Sequence, residues 1–136
     1  MGVVRDEGLI KYLRDDVPAR VSGLLKNDDF RFVLRGLADL CVEVLNRSCS
    51  ALGVSCGGDA LSNAWFVMEK VVDLSNEFVL ARYMAVVVSV DFIASRGGSL
   101  IVDMLVRDLL TCVEKVRVII LKMVEEGKAW VEIFRQ

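Results

Sequence analysis

The chain lacks histidine, a residue on which much enzyme chemistry depends. Histidine is the commonest general base, a member of the usual catalytic triads and a frequent metal ligand. Its 17 lysine and arginine residues are outnumbered by 19 aspartate and glutamate residues, so the basic face of a nucleic-acid-binding protein is not expected. We therefore expect no cofactor, no metal and no nucleic-acid partner, and an enzyme is the function that the sequence favours least.

The four cysteines lack the C-x-x-C spacing that zinc sites and redox motifs use. The sequence also shows no secretory leader. We therefore expect reduced, buried thiols that behave as small hydrophobic residues at Cys41, Cys49, Cys56 and Cys112.

Length and composition predict one domain over residues 1–136. A chain of 136 residues is near the commonest domain size, and no linker or internal repeat divides it. Hydrophobic residues make up 54% of the chain, above the roughly 45–50% of ordinary domains. We expect an unusually apolar core or an apolar surface.

The run Tyr83–Ser95 lies between Arg82 and Arg96 and is the best candidate for a membrane span. Its 13 residues make a helix of about 20 Å, whereas the hydrocarbon core is about 30 Å thick, so no integral membrane span is predicted. A helix that is apolar on all sides is typical of a position surrounded by other helices. The β-branched Val86–Val88 leaves a strand as the alternative.

A helical period runs through most of the chain and predicts an all-α bundle. The clear interruptions are Pro18 and a segment rich in Ser, Gly and Cys at 48–59. Gly97 and Gly98 separate two apolar helices that we expect to form a buried central hairpin. The predicted helices cover 3–16, continuing or kinking after Pro18 to about 25, then 29–47, 60–74, 77–95, 99–124, with a break near Val116 left open, and 127–135.

One helical stripe carries a recognisable pattern. Phe30, Leu34, Leu37 and Cys41 recur at i, i+4, i+7 and i+11, and Ala38-Asp39 follows the third anchor. The pattern Phe-x-x-x-Leu-x-x-Leu-Ala-Asp-x-Cys resembles the BH3 motif of the Bcl-2 family of apoptosis regulators.

Three further segments resemble the motifs of that family in the same order. Leu9–Leu13 is similar to the amino-terminal BH4 motif, and Leu80–Ala85 to the BH1 motif at the start of the family's central helix. Glu126–Trp130, followed by Val131–Phe134, is similar to BH2, in which a Gly-Gly-Trp precedes a short apolar helix. The four segments span about nine-tenths of the chain.

The chain also departs from the family pattern. Val79 and Leu80 stand where Asn and Trp are usual, Ala81 replaces a Gly, and BH2 has a single Gly. The resemblance implies a Bcl-2-like helical bundle, most like the minimal anti-apoptotic homologues of large DNA viruses such as iridoviruses.

The resemblance also implies a function. Members of the family bind the BH3 helix of a pro-apoptotic partner in an apolar surface groove, and an Arg at the start of the central helix pairs with the partner's Asp. Arg82 occupies the matching position. The residues assigned to the BH3-binding groove by this register are Arg82, Val79, Ala85, Val86, Cys41, Leu45, Val67, Val71 and Leu74.

The expected partners are pro-apoptotic Bcl-2 proteins, either BH3-only ligands such as Bim or effectors of the Bax and Bak type. We expect a cytoplasmic protein of the host cell that reaches the mitochondrial surface through those partners and inhibits mitochondrial apoptosis. One alternative is a regulatory helical protein that self-associates, as a homodimer, through the same groove. A pore-forming, pro-apoptotic member is another.

Individual residues also have simpler explanations. Arg82 could be a solvated charge at a helix start, and the stripe at Phe30, Leu34 and Leu37 could pack on the chain's own core. Asp91 must reach a partner, a helix end or solvent, because an unpaired buried carboxylate is costly. Arg96 is five residues further on.

Overall fold

The part of the chain that the structure describes is all-helical, with no strand. This structure, a computed structural model, describes residues 2–71 and 77–134, apart from the side chains of 77–81 and 134. The helices are α1 (Glu7–Lys11), a π-helical turn (Tyr12–Asp16), α2 (Val17–Leu25), α3 (Phe30–Ser48), α4 (Ala60–Val71), α5 (Glu77–Val88), α6 (Val90–Arg96), α7 (Ser99–Glu126) and α8 (Trp130–Phe134). The predicted all-α class is confirmed. The break considered near Val116 does not occur, since α7 is continuous.

Aspartate side chains begin three of the helices. Asp6, Asp29 and Asp59 accept hydrogen bonds from the backbone N–H groups of Leu9, Arg31 and Ser62, at 3.1, 3.0 and 2.7 Å. These bonds satisfy N–H groups that have no carbonyl partner within the helix. A glycine ends helix α7. Gly127 takes a φ of 64°, a left-handed conformation that glycine adopts without steric cost.

The single proline is accommodated in a continuous helix. Pro18 lies in the first turn of α2, directly after the π-helical turn Tyr12–Asp16. A proline ring collides with the carbonyl four residues earlier in a regular α-helix, and here that carbonyl belongs to Arg14, within the wider π-helical turn. The chain therefore passes from α1 to α2 without leaving the helix.

Helix α3 lies at the centre of the fold. It packs most extensively against α7 and α4, and also against α6, α2 and α5. Its buried residues are Val33, Leu34, Leu37, Ala38, Leu40, Cys41, Val44, Leu45 and Ser48. They cover far more than one stripe of the helix, as expected for an element with neighbours on several sides.

The predicted buried central hairpin is wrong. Residues 77–95 form two helices, α5 and α6, separated at Ser89, and their outer side chains are solvated. Val88 and Phe92 are 64% and 68% exposed. Because α3 fills the central position, the described side chains of α5 and α6, at 82–96, are buried on one side only.

Two of the four cysteines also differ from the prediction. Cys49 and Cys56 form a disulfide, and Cys56 is exposed. The turn after α3 brings these residues together, since the N–H of Val54 donates to the carbonyl of Cys49 at 3.0 Å. Cys41 and Cys112 are buried free thiols, as predicted.

A polar cluster fastens the amino-terminal helix to α3. The hydroxyl of Tyr12 donates to Glu43 at 2.5 Å, Arg20 forms an ion pair with the same carboxylate, and the guanidinium of Arg47 lies 3.8 Å from the centre of the Tyr12 ring. Burial, together with the hydrogen bond to Glu43, raises the pKa of Tyr12 well above its usual range. Tyr12 therefore stays protonated and keeps donating to Glu43.

The substitution Glu43→Gln should make folding less sensitive to acid. Although burial raises it, the hydrogen bond from Tyr12 and the ion pair with Arg20 bring the pKa of Glu43 below its ordinary value of 4.5. A carboxyl group with a depressed folded-state pKa stabilises the protein above its unfolded-state pKa, and that contribution is lost as the pH falls through the folded-state value. Denaturant unfolding of wild type and E43Q as the pH is lowered through 4.5 should show a steeper loss in wild type.

The exposed Glu69, on α4, provides the control. Glu69→Gln should leave the acid sensitivity as in wild type. Parallel stability curves for wild type and E43Q would contradict the role assigned to the cluster.

Reduction of the Cys49–Cys56 disulfide should leave the fold intact. The bridge spans a sequence separation of 7, so it restricts only a short loop and contributes at most about 2.5 kcal/mol to the free energy of unfolding. The amide nitrogen of Asn63 donates to the carbonyls of Cys56 and Gly58 at 3.3 and 3.2 Å and holds the same loop independently. Circular dichroism with and without a reductant should show the same helical signal, and loss of that signal on reduction would contradict the prediction.

Candidate functional site

An open apolar hollow of about 520 Å³ lies between α4 and α5. Its walls are formed by Leu61, Ser62, Trp65, Phe66, Met84, Ala85, Val88 and Ser89. Large apolar side chains stay solvated there: Phe66 is 46% exposed and Trp65 36%. Exposed apolar concavities are typical of surfaces that bind a partner.

An arginine of α5 lies one helical turn before the residues that line this hollow. Arg82 is exposed and precedes Ala85, which lines the hollow, by three residues on α5, so the two side chains share one side of the helix. Its guanidinium lies 5.3 Å from the centre of the Tyr83 ring, and it is in no ion pair of the described side chains. A positive charge therefore lies about one turn from the apolar lining of the hollow.

Two arginines of α3 bind α6, the helix that follows α5. Arg31 donates to the carbonyl of Ala94 at 2.7 Å. Arg35 pairs with Asp91 at 3.3 Å and donates to the hydroxyl of Ser95 at 3.2 Å. These bonds fix α6 to α3, and α6 follows α5 directly after Ser89.

The same contacts account for Asp91. Its carboxylate is 89% exposed and pairs with Arg35, whereas Arg96 lies against the ring of Phe92, 5.9 Å from its centre. Asp91 is thus a solvated surface residue that contacts α3, and no buried charge needs compensation.

Four of the residues assigned to a groove belong to the core. Cys41 and Leu45 on α3, and Val67 and Val71 on α4, are at most 2% exposed. They face the packed interior between these helices, so in this conformation they offer no surface to a partner. A motif register alone does not reveal which side of a helix faces the interior.

The remaining assigned residues lie on or near α5. Ala85 lines the hollow and is exposed, and Val86 is partly buried against the core. Val79 is in α5, but its side chain is not described, and Leu74 lies outside the described residues. Ala85 is therefore the assigned residue that lines the hollow, and Arg82 lies about one turn from it on the same helix.

The aromatic residues of the hollow were not predicted from the sequence. Ala64, Val67, Met68 and Val71 already supply α4 with an inward stripe. Trp65 and Phe66 are additional large apolar residues beyond that stripe. A helix with more apolar residues than one stripe can bury is the signal that could have identified them.

The BH3-like stripe is mostly internal. Leu34, Leu37 and Cys41 are buried, whereas Phe30 is 52% exposed. Gly36, on the same helix, lies so close to the side chain of Leu24 that a Cβ there would stand 2.4 Å from it. The stripe thus packs on the chain's own core, except at its first residue.

A second hollow, of about 660 Å³, lies where α8 meets α7. Trp130 covers part of it, and Leu110, Val118 and Ile119 supply apolar walls. It has no lining residue in common with the α4–α5 hollow. The BH2-like segment is therefore associated with this second surface.

Within residues 2–71 and 77–134, no cluster of three or more metal-ligating side chains occurs. No helix in this part of the chain has both the length and the apolarity that a membrane crossing requires. Comparison with protein-family models, with curated proteins and with solved structures gave no match.

Two valines allow the core side and the hollow side of the α4–α5 unit to be compared by their effect on the free energy of unfolding. Val67 is fully buried and Val88 is 64% exposed. Val67→Ala should lower the free energy of unfolding by about 2–3 kcal/mol, since it removes buried methyl groups and leaves a cavity. Val88→Ala should change it by less than about 0.5 kcal/mol, as measured by denaturant unfolding. Equal effects of the two substitutions would mean that the two sides of the α4–α5 unit are assigned wrongly.

Proposed function

We propose that the chain is an anti-apoptotic, Bcl-2-like protein that binds the BH3 helix of pro-apoptotic host proteins and thereby inhibits mitochondrial apoptosis. The observation that carries the proposal is the apolar hollow between α4 and α5 with Arg82 in register beside it. The resemblance of the four sequence segments to the family's motifs supports the same function.

The chemistry of the hollow suits an amphipathic helix. Such a ligand inserts apolar side chains spaced three or four residues apart into a groove and keeps its polar side in water. The rings of Trp65 and Phe66 give a wide apolar contact area, and aromatic residues contribute strongly to interfaces. The hydroxyl groups of Ser62 and Ser89 supply hydrogen-bonding groups at the same surface.

Arg82 adds a means of selecting an acidic ligand. A guanidinium is always charged and binds a carboxylate through two parallel hydrogen bonds. Arg82 has no ion pair among the described side chains, so pairing with an Asp of the ligand would break none of the ion pairs within that part of the chain. In a BH3 helix this residue would be the Asp that follows the apolar anchors.

The proposed partners are BH3-only ligands such as Bim and effectors of the Bax and Bak type, and the proposed location is the cytoplasm of the host cell. Disulfides are uncommon in a reducing cytosol. The proposal therefore requires the fold to persist with Cys49 and Cys56 reduced, as expected from the short loop between them.

A second candidate function is self-association through the same hollow in a regulatory role. The exposed rings of Trp65 and Phe66 favour it, because apolar surface on one copy can be covered by the same surface on another. Sedimentation of the chain alone, and with a BH3 peptide, separates the two. A dimer that fails to bind any BH3 peptide supports self-association and rejects the first proposal.

Arg82→Ala and Ala85→Tyr should each weaken binding of a BH3 peptide. Truncating one member of a buried interfacial charge pair costs about 2–5 kcal/mol, so R82A should raise the Kd at least about 30-fold. Ala85 is exposed in the hollow, and a tyrosine ring there would occupy the space that the ligand needs. Titration calorimetry measures both effects.

Two variants on other surfaces serve as matched controls. Arg107→Ala, on α7, removes another exposed arginine, and Ala19→Tyr, on α2, enlarges another exposed alanine. Both should bind like wild type. Equal affinity for R82A and R107A, with both variants folded, would exclude Arg82 from the binding site.

The two tryptophans report where the peptide binds. Trp65 lines the α4–α5 hollow and Trp130 the hollow beside α7. In Trp130→Phe, a tryptophan-free BH3 peptide should shift the emission of Trp65 to shorter wavelength, because binding removes water from the ring. The reverse pattern, with a shift only in Trp65→Phe, would move the site to the surface beside α8.

A further inference from the structure

Two thiols meet in the core, across the largest helix–helix contact of the fold. Cys41 on α3 and Cys112 on α7 place their sulfur atoms 3.9 Å apart, and both are free and buried. The two residues are 71 positions apart in sequence, so only the packing of α3 against α7 brings them together. The other two cysteines are already joined to each other.

We propose that Cys41 and Cys112 form an oxidisable dithiol, which a hydroperoxide converts into a disulfide that joins α3 to α7. The proposal concerns the core and does not depend on the proposed function. A disulfide needs its sulfur atoms about 2.05 Å apart, so the two side chains must together close a little less than about 2 Å. This is a small movement for cysteines that already hydrogen-bond to each other.

The pair is also chemically asymmetric. The hydrogen bond between the two thiols, and then burial, raises the pKa of Cys112, whereas the same hydrogen bond lowers the pKa of Cys41. Because the thiolate is the nucleophilic form of cysteine, the direction of the two shifts favours Cys41 as the attacking sulfur. Cys112 keeps its proton and completes the reaction.

The reaction balances with hydrogen peroxide as the oxidant. The Cys41 thiolate attacks one peroxide oxygen, the O–O bond breaks, and hydroxide leaves and takes up the proton that Cys41 had released, which gives a sulfenic acid and water. The sulfur of Cys112 then attacks the sulfenyl sulfur. The S–S bond forms, the S–O bond breaks, and the departing oxygen takes the Cys112 proton and leaves as water. Both sulfurs are oxidised, and the peroxide is reduced to two molecules of water.

The burial of the two sulfur atoms limits the size of the oxidant that can reach them. Cys41 is 2% exposed and Cys112 is 0% exposed, so a bulky disulfide reagent cannot reach either sulfur in the folded protein. Hydrogen peroxide is little larger than water and needs only a small opening of the α3–α7 contact. The same burial keeps thiols of other molecules away from the sulfenic acid, and Cys112 is its nearest thiol.

The test uses the full native chain and hydrogen peroxide. After treatment, the peroxide is removed, remaining thiols are blocked in denaturant, and the protein is digested without reductant for mass spectrometry. We expect both free thiols to be lost, the intact mass to fall by two hydrogen atoms, and a peptide to appear that links Cys41 with Cys112 and is split by reductant. The oxidised protein should also melt at a higher temperature, and reductant should reverse the shift.

Two variants sharpen the result. In Cys112→Ala the second step is impossible, so a sulfenic acid that forms at Cys41 should persist and be trapped by dimedone added together with denaturant, which exposes the buried sulfur. The double variant Cys49→Ala with Cys56→Ala leaves the inner pair alone, and the Cys41–Cys112 peptide should still form. This second variant keeps the test valid even if C112A does not fold.

Three outcomes would overturn the proposal. The first is that both thiols stay free until the protein unfolds. The second is oxidation of Cys41 or Cys112 to a sulfinic acid without a link between them. The third is a linked peptide that joins either residue to Cys49 or Cys56 instead.

Discussion

The packing of α3 against α7 is the contact on which the other helices depend. Buried residues occur along α7 from Val102 to Val124, and they meet an α3 that is apolar on several sides. With one side of α3 covered by α7, the helices α2, α4 and α6 pack on the others. Each of these outer helices then needs only one apolar stripe. A polar substitution between α3 and α7 would therefore affect every element, whereas one on α6 would affect only its own contact with α3.

The hollow between α4 and α5 follows from this arrangement. Helix α4 buries Ala64, Val67 and Met68, whereas Trp65 and Phe66 line the hollow that it forms with α5. Helix α5 is held at its far end, where Arg31 and Arg35 bind α6. The two helices thus enclose an apolar space that neither can fill. The exposed aromatic rings leave apolar surface in contact with water. A bound partner that covers them would gain the favourable free energy of burying that surface.

The sequence predicted the helices well and their places in the fold poorly. Helical periodicity is a local property of the sequence, so the predicted helices 29–47 and 99–124 agree to within two residues with α3 and α7. Which helix lies at the centre depends on long-range packing. The run Tyr83–Ser95 is apolar on all sides, yet Val88 and Phe92 are exposed, because α3 occupies the centre. The Cys49–Cys56 disulfide depends on the path of the turn after α3, and the spacing of the cysteines does not predict that path.

The assigned site residues show the same limit of sequence reasoning. Ala85 lines the hollow and Arg82 lies one turn from it, whereas Val67 and Cys41 lie in the core. The distinction between core and surface residues also bears on the direction of binding in the proposed function. A BH3-like stripe can be a ligand only if its anchors leave their own core, and here Leu34 and Leu37 are completely buried. Exposing them would break the core packing of α3, at about 2–5 kcal/mol for each leucine if the cost resembles that of truncation. The outward-facing residues of α4 and α5 need no such rearrangement. In the proposed function, the chain is therefore the receptor for a BH3 helix, and its own stripe is a structural part of the receptor.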